Sequence, residues 1–395
     1  MSYHEDTAKS KNMRHEIADS FDEFRADQQL KLKAAWQKGK KICGVYCAFA
    51  PRELIRASGA IPVSLCGTKQ EPIPEAEKIL PRNLCPLIKS SYGYAITWSC
   101  PYYNFSHFLI GETTCDGKTK MFELIAREKP IYVMDLPKRV NNSSSALAYW
   151  LAEIRKVKKF IEDQTGNTIT EDNLHKAISI QNAERILLKR LACLCRGSHI
   201  PITGLDMNRV VNGKGFCVDQ GEYIKNLEVL TKELEAKVNE GQSVCSEDAS
   251  RILLTGCPIG EGSEKVLRTI EECGGIVVCQ EACSGIKNFD DLVDEDKEPL
   301  KAIAERYLKI GCSCISPNTR RIELLDRLVK EFNVDGVVDL TWLACHTYNV
   351  ESFIIKDYLN KRHKVPFLQV EADYSEGDIM QLRVRLEAFL EMIHR

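Results

Sequence analysis

Short apolar runs alternate with amphipathic segments from about residue 41 to the end of the chain. In the first half, four runs have the length and composition of buried strands, and they cover residues 42–46, 61–65, 108–111 and 131–134. Helical patterns at 51–57 and 120–128 separate them, and Gly59 follows the first helix, where a left-handed backbone suits glycine. Strands that alternate with helices in this way predict parallel βαβ units.

The second half repeats this order of elements. Its predicted strands cover residues 251–255, 276–278, 336–340 and 367–370, and its predicted helices cover 263–272 and 350–361. The pattern predicts an α/β protein with two doubly wound, flavodoxin- or Rossmann-like parallel-sheet lobes that arose by internal duplication, together with a helical segment.

Four regions follow from these patterns. Residues 1–40 form a charged helical region, 41–144 the first α/β lobe, 145–245 a helical connector and 246–395 the second lobe. Within the connector, residues 146–161 and 223–238 have helical periodicity, and Thr170 is placed to open a further helix.

Charge and hydropathy narrow the class of protein. Lys and Arg total 54 against 56 Asp and Glu, so the chain has no excess of positive charge that would attract the phosphates of a nucleic acid. No apolar run reaches the length of a membrane span, and residues 1–41 contain no apolar signal-peptide core. We expect a cytoplasmic protein with neither nucleic acid nor membrane as a partner.

The chain contains 17 cysteines, which a reducing compartment leaves free unless a metal or a reaction uses them. Cys193 and Cys273 lie in helical patterns and are expected to be inert core residues. The same interpretation applies to Cys43, Cys195, Cys217 and Cys245.

Other cysteines lie in loops at the carboxyl ends of predicted strands, where open α/β sheets bind ligands. We single out Cys47, Cys85, Cys115, Cys283, Cys314 and Cys345 as candidate ligands. Three per half is the number that two cubane-type clusters or one larger assembly would need. Cys312 is a weaker alternative to Cys314, and Cys66, Cys257 and Cys279 are reserve candidates.

The spacing of the thiols bears on the kind of metal. The chain has no C-x2-C pair, which zinc ribbons and two-cluster ferredoxins use. Widely spaced thiolates with few nitrogen ligands favour an iron–sulfur site assembled by the tertiary structure. The spacing alone does not decide this.

Three further motifs have weaker interpretations. The glycine-rich run 256–262 has the wrong spacing for a dinucleotide loop, and the loop at 212–215 lacks the ending of an ATP-binding P-loop. His346, next to Cys345, either supplies a proton to a bound substrate or only supports the neighbouring ligand.

Several motifs together resemble the 2-hydroxyacyl-CoA dehydratase and benzoyl-CoA reductase subunit family, over about residues 40–395. The run 44–63, Cys85-Pro86 followed by Lys89-Ser90, Cys115-Asp116-Gly117-Lys118, and Asp335-Gly336-Val337 with Cys345 carry the resemblance. It implies that Cys85, Cys115 and Cys345 hold a [4Fe-4S] cluster with one open iron.

The additional Cys47, Cys283 and Cys314 make the chain most similar to the double-cubane cluster proteins of that family. This resemblance implies a [8Fe-9S] cluster in a homodimeric, anaerobic, ATP-dependent oxidoreductase that reduces small molecules. An ATP-hydrolysing [4Fe-4S] activator would deliver the electrons. Two alternatives stay open: a subunit of an (R)-2-hydroxyacyl-CoA dehydratase, which is a lyase, with a [4Fe-4S] cluster, and a non-enzymatic electron-transfer or cluster-carrying protein.

Overall fold

Two four-stranded parallel sheets form the framework of the molecule. The computed structural model describes residues 3–140 and 144–393, with side chains described from residue 20 onward. The first sheet has the strand order β2-β1-β3-β4 and contains β1 (Ile42–Val45), β2 (Ile61–Ser64), β3 (Phe108–Glu112) and β4 (Ile131–Met134). All its strand pairs are parallel.

The second sheet repeats this arrangement. Its order is β6-β5-β7-β8, again all parallel, and it contains β5 (Ser250–Gly256), β6 (Gly275–Glu281), β7 (Gly336–Trp342) and β8 (Phe367–Ala372). In each sheet, the first strand of that half of the chain lies between the second and the third strands, as in flavodoxin-like folds. The predicted α/β class with two doubly wound lobes is therefore confirmed.

Helices cover the sheets and make up most of residues 144–239. Among the described residues they are α1 (Tyr3–Gln37), α2 (Arg52–Ala57), α3 (Ile73–Ala76), α4 (Pro86–Thr97), α5 (Pro101–Phe105), α6 (Asp116–Ile125), α7 (Ser144–Thr165), α8 (Glu171–Cys193), α9 (Gly204–Gly213), α10 (Gln220–Asn239), α11 (Lys265–Glu272), α12 (Pro299–Tyr307), α13 (Thr319–Glu331), α14 (His346–His363) and α15 (Ile379–Ile393). Short 3-10 turns lie at Leu194–Arg196, Lys214–Phe216 and Ile286–Asn288.

Local capping explains where some helices begin. The Thr170 hydroxyl accepts a hydrogen bond of 3.2 Å from the backbone N–H of Asn173, so the predicted start of α8 is confirmed. Helix α14 begins at His346, four residues before the predicted start, directly after Cys345. None of the helices in the described part of the chain has both the length and the apolar composition needed to cross a bilayer.

The core of the first lobe includes residues from the second half of the chain. One face of β1 packs with α7, α8 and the segment around α12, including Ile303 and Cys312. The opposite face contributes Ile42 to a cluster that also contains Ile252 of β5 and Val338 of β7. This packing brings the loop that contains Cys312 and Cys314 to the first lobe.

A network of buried charges holds α13 on the second sheet. The Arg321 guanidinium, which is fully buried, pairs with Glu281 at 3.1 Å and with Asp339 at 3.4 Å, and it also pairs with Glu351 of α14. It donates a further hydrogen bond of 2.8 Å to the Thr255 hydroxyl. Since Glu281 ends β6 and α14 begins at the Cys345 loop, this network fixes two of the loops that carry cysteines.

Candidate functional site

Three strands of each sheet are followed within three residues by a cysteine. Cys47, Cys66 and Cys115 follow β1, β2 and β3, and Cys257, Cys283 and Cys345 follow β5, β6 and β7. The strands correspond one to one between the lobes, so the duplication includes the cysteine positions. The loops belong to the edge where α/β sheets bind ligands. Cys66 and Cys257 were only reserve candidates, although their position directly after a strand in each half was a signal that could have ranked them higher.

A group of three sulfurs joins the two lobes. The sulfur of Cys345 lies close to those of both Cys257 and Cys85, and their interaction holds the pKa of the Cys345 thiol far below its usual value. The backbone N–H of Trp342 donates a 3.4 Å hydrogen bond to the Cys257 sulfur. Cys85 precedes α4, whose first residue is Pro86. The structure thus brings together two predicted ligands and one reserve candidate.

Gly256 sets the direction of the chain just before Cys257. Its φ is +107°, and a side chain here would place a Cβ 2.1 Å from the carbonyl oxygen of Leu340. Only glycine combines this conformation with such a close approach of two strands. The tight turn therefore directs Cys257 toward Trp342 and Cys345.

The remaining candidate cysteines lie beside this group. Cys312 and Cys314 lie close together, and their interaction lowers the pKa of the Cys312 thiol. The Thr347 hydroxyl lies 4.0 Å from the sulfur of Cys314 and 4.0 Å from that of Cys345. Cys47 is close enough to Cys283 and Cys312 for their charges to raise its pKa, although burial is the larger cause. Both Cys312 and Cys314 therefore stay candidates.

Each lobe supplies one buried lysine to these thiols. Lys118 of α6 donates a 3.0 Å hydrogen bond to the carbonyl oxygen of Tyr46 and lies near Cys47 and Cys66. In the second lobe, Lys287 pairs with Glu281 at 2.7 Å and lies near Cys283. Negative charge on the thiolates, or on a group that they bind, is therefore partly offset from both sides.

The chemistry of the donors decides which group they fit. Within the described ranges, no three His, Cys, Asp or Glu side chains are close enough together to hold a single metal ion. A cubane cluster places each thiolate on a different iron, so it needs a wider spacing of sulfurs than one ion does. Soft sulfur donors from both lobes, accompanied by two buried lysines, fit an iron–sulfur cluster.

A cavity of about 700 Å³ adjoins the cysteines, a size typical of small-molecule sites. Cys47, Cys66, Cys100 and Cys283 line it. The charged lining residues are six cations and three carboxylates, namely Arg25, Arg52, Lys69, Lys118, Arg185, Lys214, Asp22, Glu184 and Glu261. The cavity therefore combines access to four thiols with an excess of positive charge.

Other predicted residues lie away from this cavity. His346 is exposed at the first turn of α14 and is not among the lining residues, so its catalytic role stays a prediction. Cys279 is buried within β6, in a core cluster that also contains Cys195 and Cys217. The structure does not bring Cys279 to the other candidate ligands.

The fold and the cysteine loops define a two-lobed α/β protein with a thiol-rich site at the carboxyl ends of both sheets. A family profile described as 2-hydroxyglutaryl-CoA dehydratase, D-component, matches residues 47–393, and the chain belongs to this family.

Three relatives illustrate the range of the family. The chain is 45% identical over 377 residues to YjiM of Escherichia coli (strain K12), provisionally named as a dehydratase subunit, with 95% of this chain and 98% of the relative covered. It is 24% identical over 371 residues to the (R)-phenyllactyl-CoA dehydratase beta subunit of Clostridium sporogenes, with coverages of 92% and 94%. Identity to one of the subunits of the benzoyl-CoA reductase of Thauera aromatica is 18% over 365 residues, with coverages of 90% and 91%.

Proposed function

We propose that the protein is the cluster-bearing component of an ATP-dependent reductase, with a double-cubane [8Fe-9S] cluster between its lobes. The observation that carries this proposal is the convergence of Cys85 with Cys257 and Cys345, next to a second set of thiols. One set for each cubane is what such a cluster requires. The relatives include subunits of both a reductase and dehydratases, which is consistent with redox or lyase chemistry.

The proposed ligands come from both lobes. Cys47, Cys85, Cys115, Cys283, Cys314 and Cys345 remain the predicted set, with Cys312 as the weaker alternative and Cys257 added by its contact with Cys345. When bound, the cluster would supply low-potential electrons. The chain itself contributes buried thiols, a cavity that admits a small molecule, and Lys118 and Lys287, which stabilise negative charge.

Two partners belong to this proposal. An ATP-hydrolysing [4Fe-4S] activator would deliver electrons, because no P-loop is found in this sequence. A second copy of the chain would complete a homodimer in the cytoplasm. Sedimentation equilibrium of the purified protein tests the homodimer, and a monomeric mass over the micromolar range would contradict it.

Iron and sulfide analysis with EPR of the reduced, anaerobically purified protein tests the cluster. About eight irons per chain are expected for a double cubane, and about four for a single [4Fe-4S] cluster. A protein that takes up no iron and sulfide during anaerobic reconstitution would overturn the proposal. Turnover of a small unsaturated or nitrogenous molecule with activator, ATP and reductant is expected, and cluster reduction without turnover would favour the electron-transfer alternative.

A second candidate function is that of an (R)-2-hydroxyacyl-CoA dehydratase subunit with a [4Fe-4S] cluster. It is favoured by the family match and by the relative named (R)-phenyllactyl-CoA dehydratase beta subunit. Direct binding of CoA thioesters separates the two functions. Tight binding of a 2-hydroxyacyl-CoA, together with about four irons per chain, would favour the dehydratase.

A further inference from the structure

Arg52, the first residue of α2, lies in the wall of the cavity without an anionic partner. Its Nη2 donates a 2.6 Å hydrogen bond to the Ser64 hydroxyl, whereas its Nη1 is buried and makes no hydrogen bond within the described part of the chain. No carboxylate of residues 20–140 or 144–393 forms an ion pair with it. A buried guanidinium nitrogen without an acceptor costs free energy, which a bound anion would recover.

Lys214 is a second cation of the same kind. It begins the 3-10 turn after α9, and the contact that the structure gives its ammonium is with the ring of Phe289, 5.7 Å from the ring centroid. Burial, together with the charges of Arg52 and Arg306, lowers the pKa of Lys214 to about 7 against the opposing effect of Glu184. Ion pairs with Lys214 are absent from the described side chains.

Glu184, the carboxylate whose negative charge opposes the lowering of the Lys214 pKa, already has other partners. One Glu184 oxygen accepts a 2.7 Å hydrogen bond from Gln181, and the other accepts one of 2.9 Å from Gln220. The side-chain amides of Gln181 and Gln220 hold Glu184 in place, and Glu184 forms no ion pair with Lys214. Since no carboxylate among the described side chains pairs with Lys214, a bound anion would stabilise its charged form.

Packing brings Arg52 and Lys214 to one place. A Cβ on Gly215 would lie 2.5 Å from the Ser64 hydroxyl oxygen, so the chain just after Lys214 packs against the serine that holds Arg52. Ser64 ends β2, two residues before Cys66. The two cations thus lie together beside a thiol of the cavity.

The other cations in the cavity wall have partners. Arg25 and Lys69 both pair with Glu261, and Arg185 pairs with Glu53 at 2.6 Å. Lys118 donates to a backbone carbonyl and faces the thiols. Arg52 and Lys214 are therefore the two lining cations whose charge is left for a bound molecule.

We propose that Arg52 and Lys214 form a subsite for an anionic group of the substrate, a carboxylate or phosphate oxyanion, in the cavity lined by Cys47, Cys66 and Cys283. The guanidinium offers a free N–H and the ammonium a point charge, which together suit an oxyanion. This inference rests on the proposed function and narrows its substrate to a small molecule that carries an anionic group.

Calorimetric titration of the anaerobically purified protein with malonate and with inorganic phosphate, at constant ionic strength, tests the subsite. The wild-type protein is expected to bind at least one of the two anions. Arg52→Met and Lys214→Met should each weaken that binding about tenfold or more, since each removes a charge-assisted contact. Arg52→Lys and Lys214→Arg keep the charge and should retain most of the affinity. Lys120→Met, at an exposed ion pair of α6, is the matched control and should change nothing.

Each outcome of this titration is decisive for the subsite. Malonate binding without phosphate binding supports a carboxylate substrate, and the reverse supports a phosphate-bearing one. The proposal is overturned when neither anion binds, or when both Met variants bind as tightly as the wild type. Iron and sulfide contents measured on the same samples separate the two ideas, because a protein without a cluster that still binds the anion through Arg52 and Lys214 contradicts only the proposed function.

Discussion

The sulfur of Cys345 lies close to the sulfur of Cys85, although 260 residues and two different sheets separate them. Cys345 follows β7 of the second lobe, and Cys85 precedes α4 of the first. The contact joins the two lobes at the carboxyl ends of their strands. A group bound there would be held by both halves of the duplicated fold.

Replacement of Cys257 tests whether the contact of this residue with Cys345 reflects ligation. Cys257→Ser is expected to lose about half of the bound iron, the share of one cubane, as Cys85→Ser and Cys345→Ser should also do. Iron and sulfide analysis with visible absorption after anaerobic purification measures the loss. Cys193→Ser is the control, since Cys193 ends α8 in the helical connector. Full iron in Cys257→Ser would restrict the ligands to the six cysteines predicted first.

Lys118 is expected to tune the reduction potential of the cluster. Its buried ammonium lies near Cys47 and Cys66, where positive charge stabilises the more negative, reduced state. Lys118→Met should shift the midpoint potential to more negative values by roughly tens of millivolts, as measured by EPR-monitored redox titration. Lys120→Met on the same helix is exposed and should leave the potential unchanged. A shift to more positive values in Lys118→Met would contradict this electrostatic role.

Arg321 is expected to be a major determinant of stability. Arg321→Met leaves Glu281 and Asp339 buried without their common partner, which should lower the free energy of unfolding by about 3–5 kcal/mol. Urea-induced unfolding measures the change. The matched control is Arg320→Met, one residue away, because Arg320 is half exposed and pairs only with Glu323 among the described side chains. This control should change the free energy of unfolding by no more than about 0.5 kcal/mol. Equal effects of the two variants would refute the importance of the buried network.

Glu271 is expected to make stability depend on pH. Burial raises the pKa of this carboxyl to about 7, although the backbone N–H groups of Gly204, Leu205 and Val277 oppose the shift. The native state therefore holds a proton that the unfolded state releases near pH 4.5, so the stability gained from the protonated carboxyl is lost as pH rises from about 4.5 to 7.

Urea-induced unfolding at pH 5.5 and 7.5 checks this prediction. Glu271→Gln keeps an acceptor for the backbone N–H groups but cannot ionise, so the variant should lose about 1–2 kcal/mol less stability than the wild type between the two pH values. Glu272→Gln, at the next and exposed position of α11, should behave like the wild type. A Glu271→Gln protein with the wild-type pH dependence would place the pKa of Glu271 near its ordinary value.

The sequence determined the lobes, because the signals for strands and helices are local. The apolar run at 42–46 and the helix that starts at Arg52 are recognisable from neighbouring residues alone, and the structure has both. The repeat of these signals after residue 250 is sufficient to predict a second parallel-sheet lobe like the first. The predicted start of α14 at residue 350 is wrong by four residues, because His346 and Thr347 belong to no apolar pattern.

Only the tertiary structure decided which side chains meet. Cys257 and Cys279 both lie near the end of a predicted strand, but the packing of the lobes places Cys257 near Cys345 and leaves Cys279 in the core with Cys195. The sequence also does not indicate that Arg52 and Lys214 lie close together, because their proximity depends on Gly215 packing against Ser64. Periodicity reports the face on which a residue lies, whereas the contact between two distant loops depends on how whole sheets and helices pack.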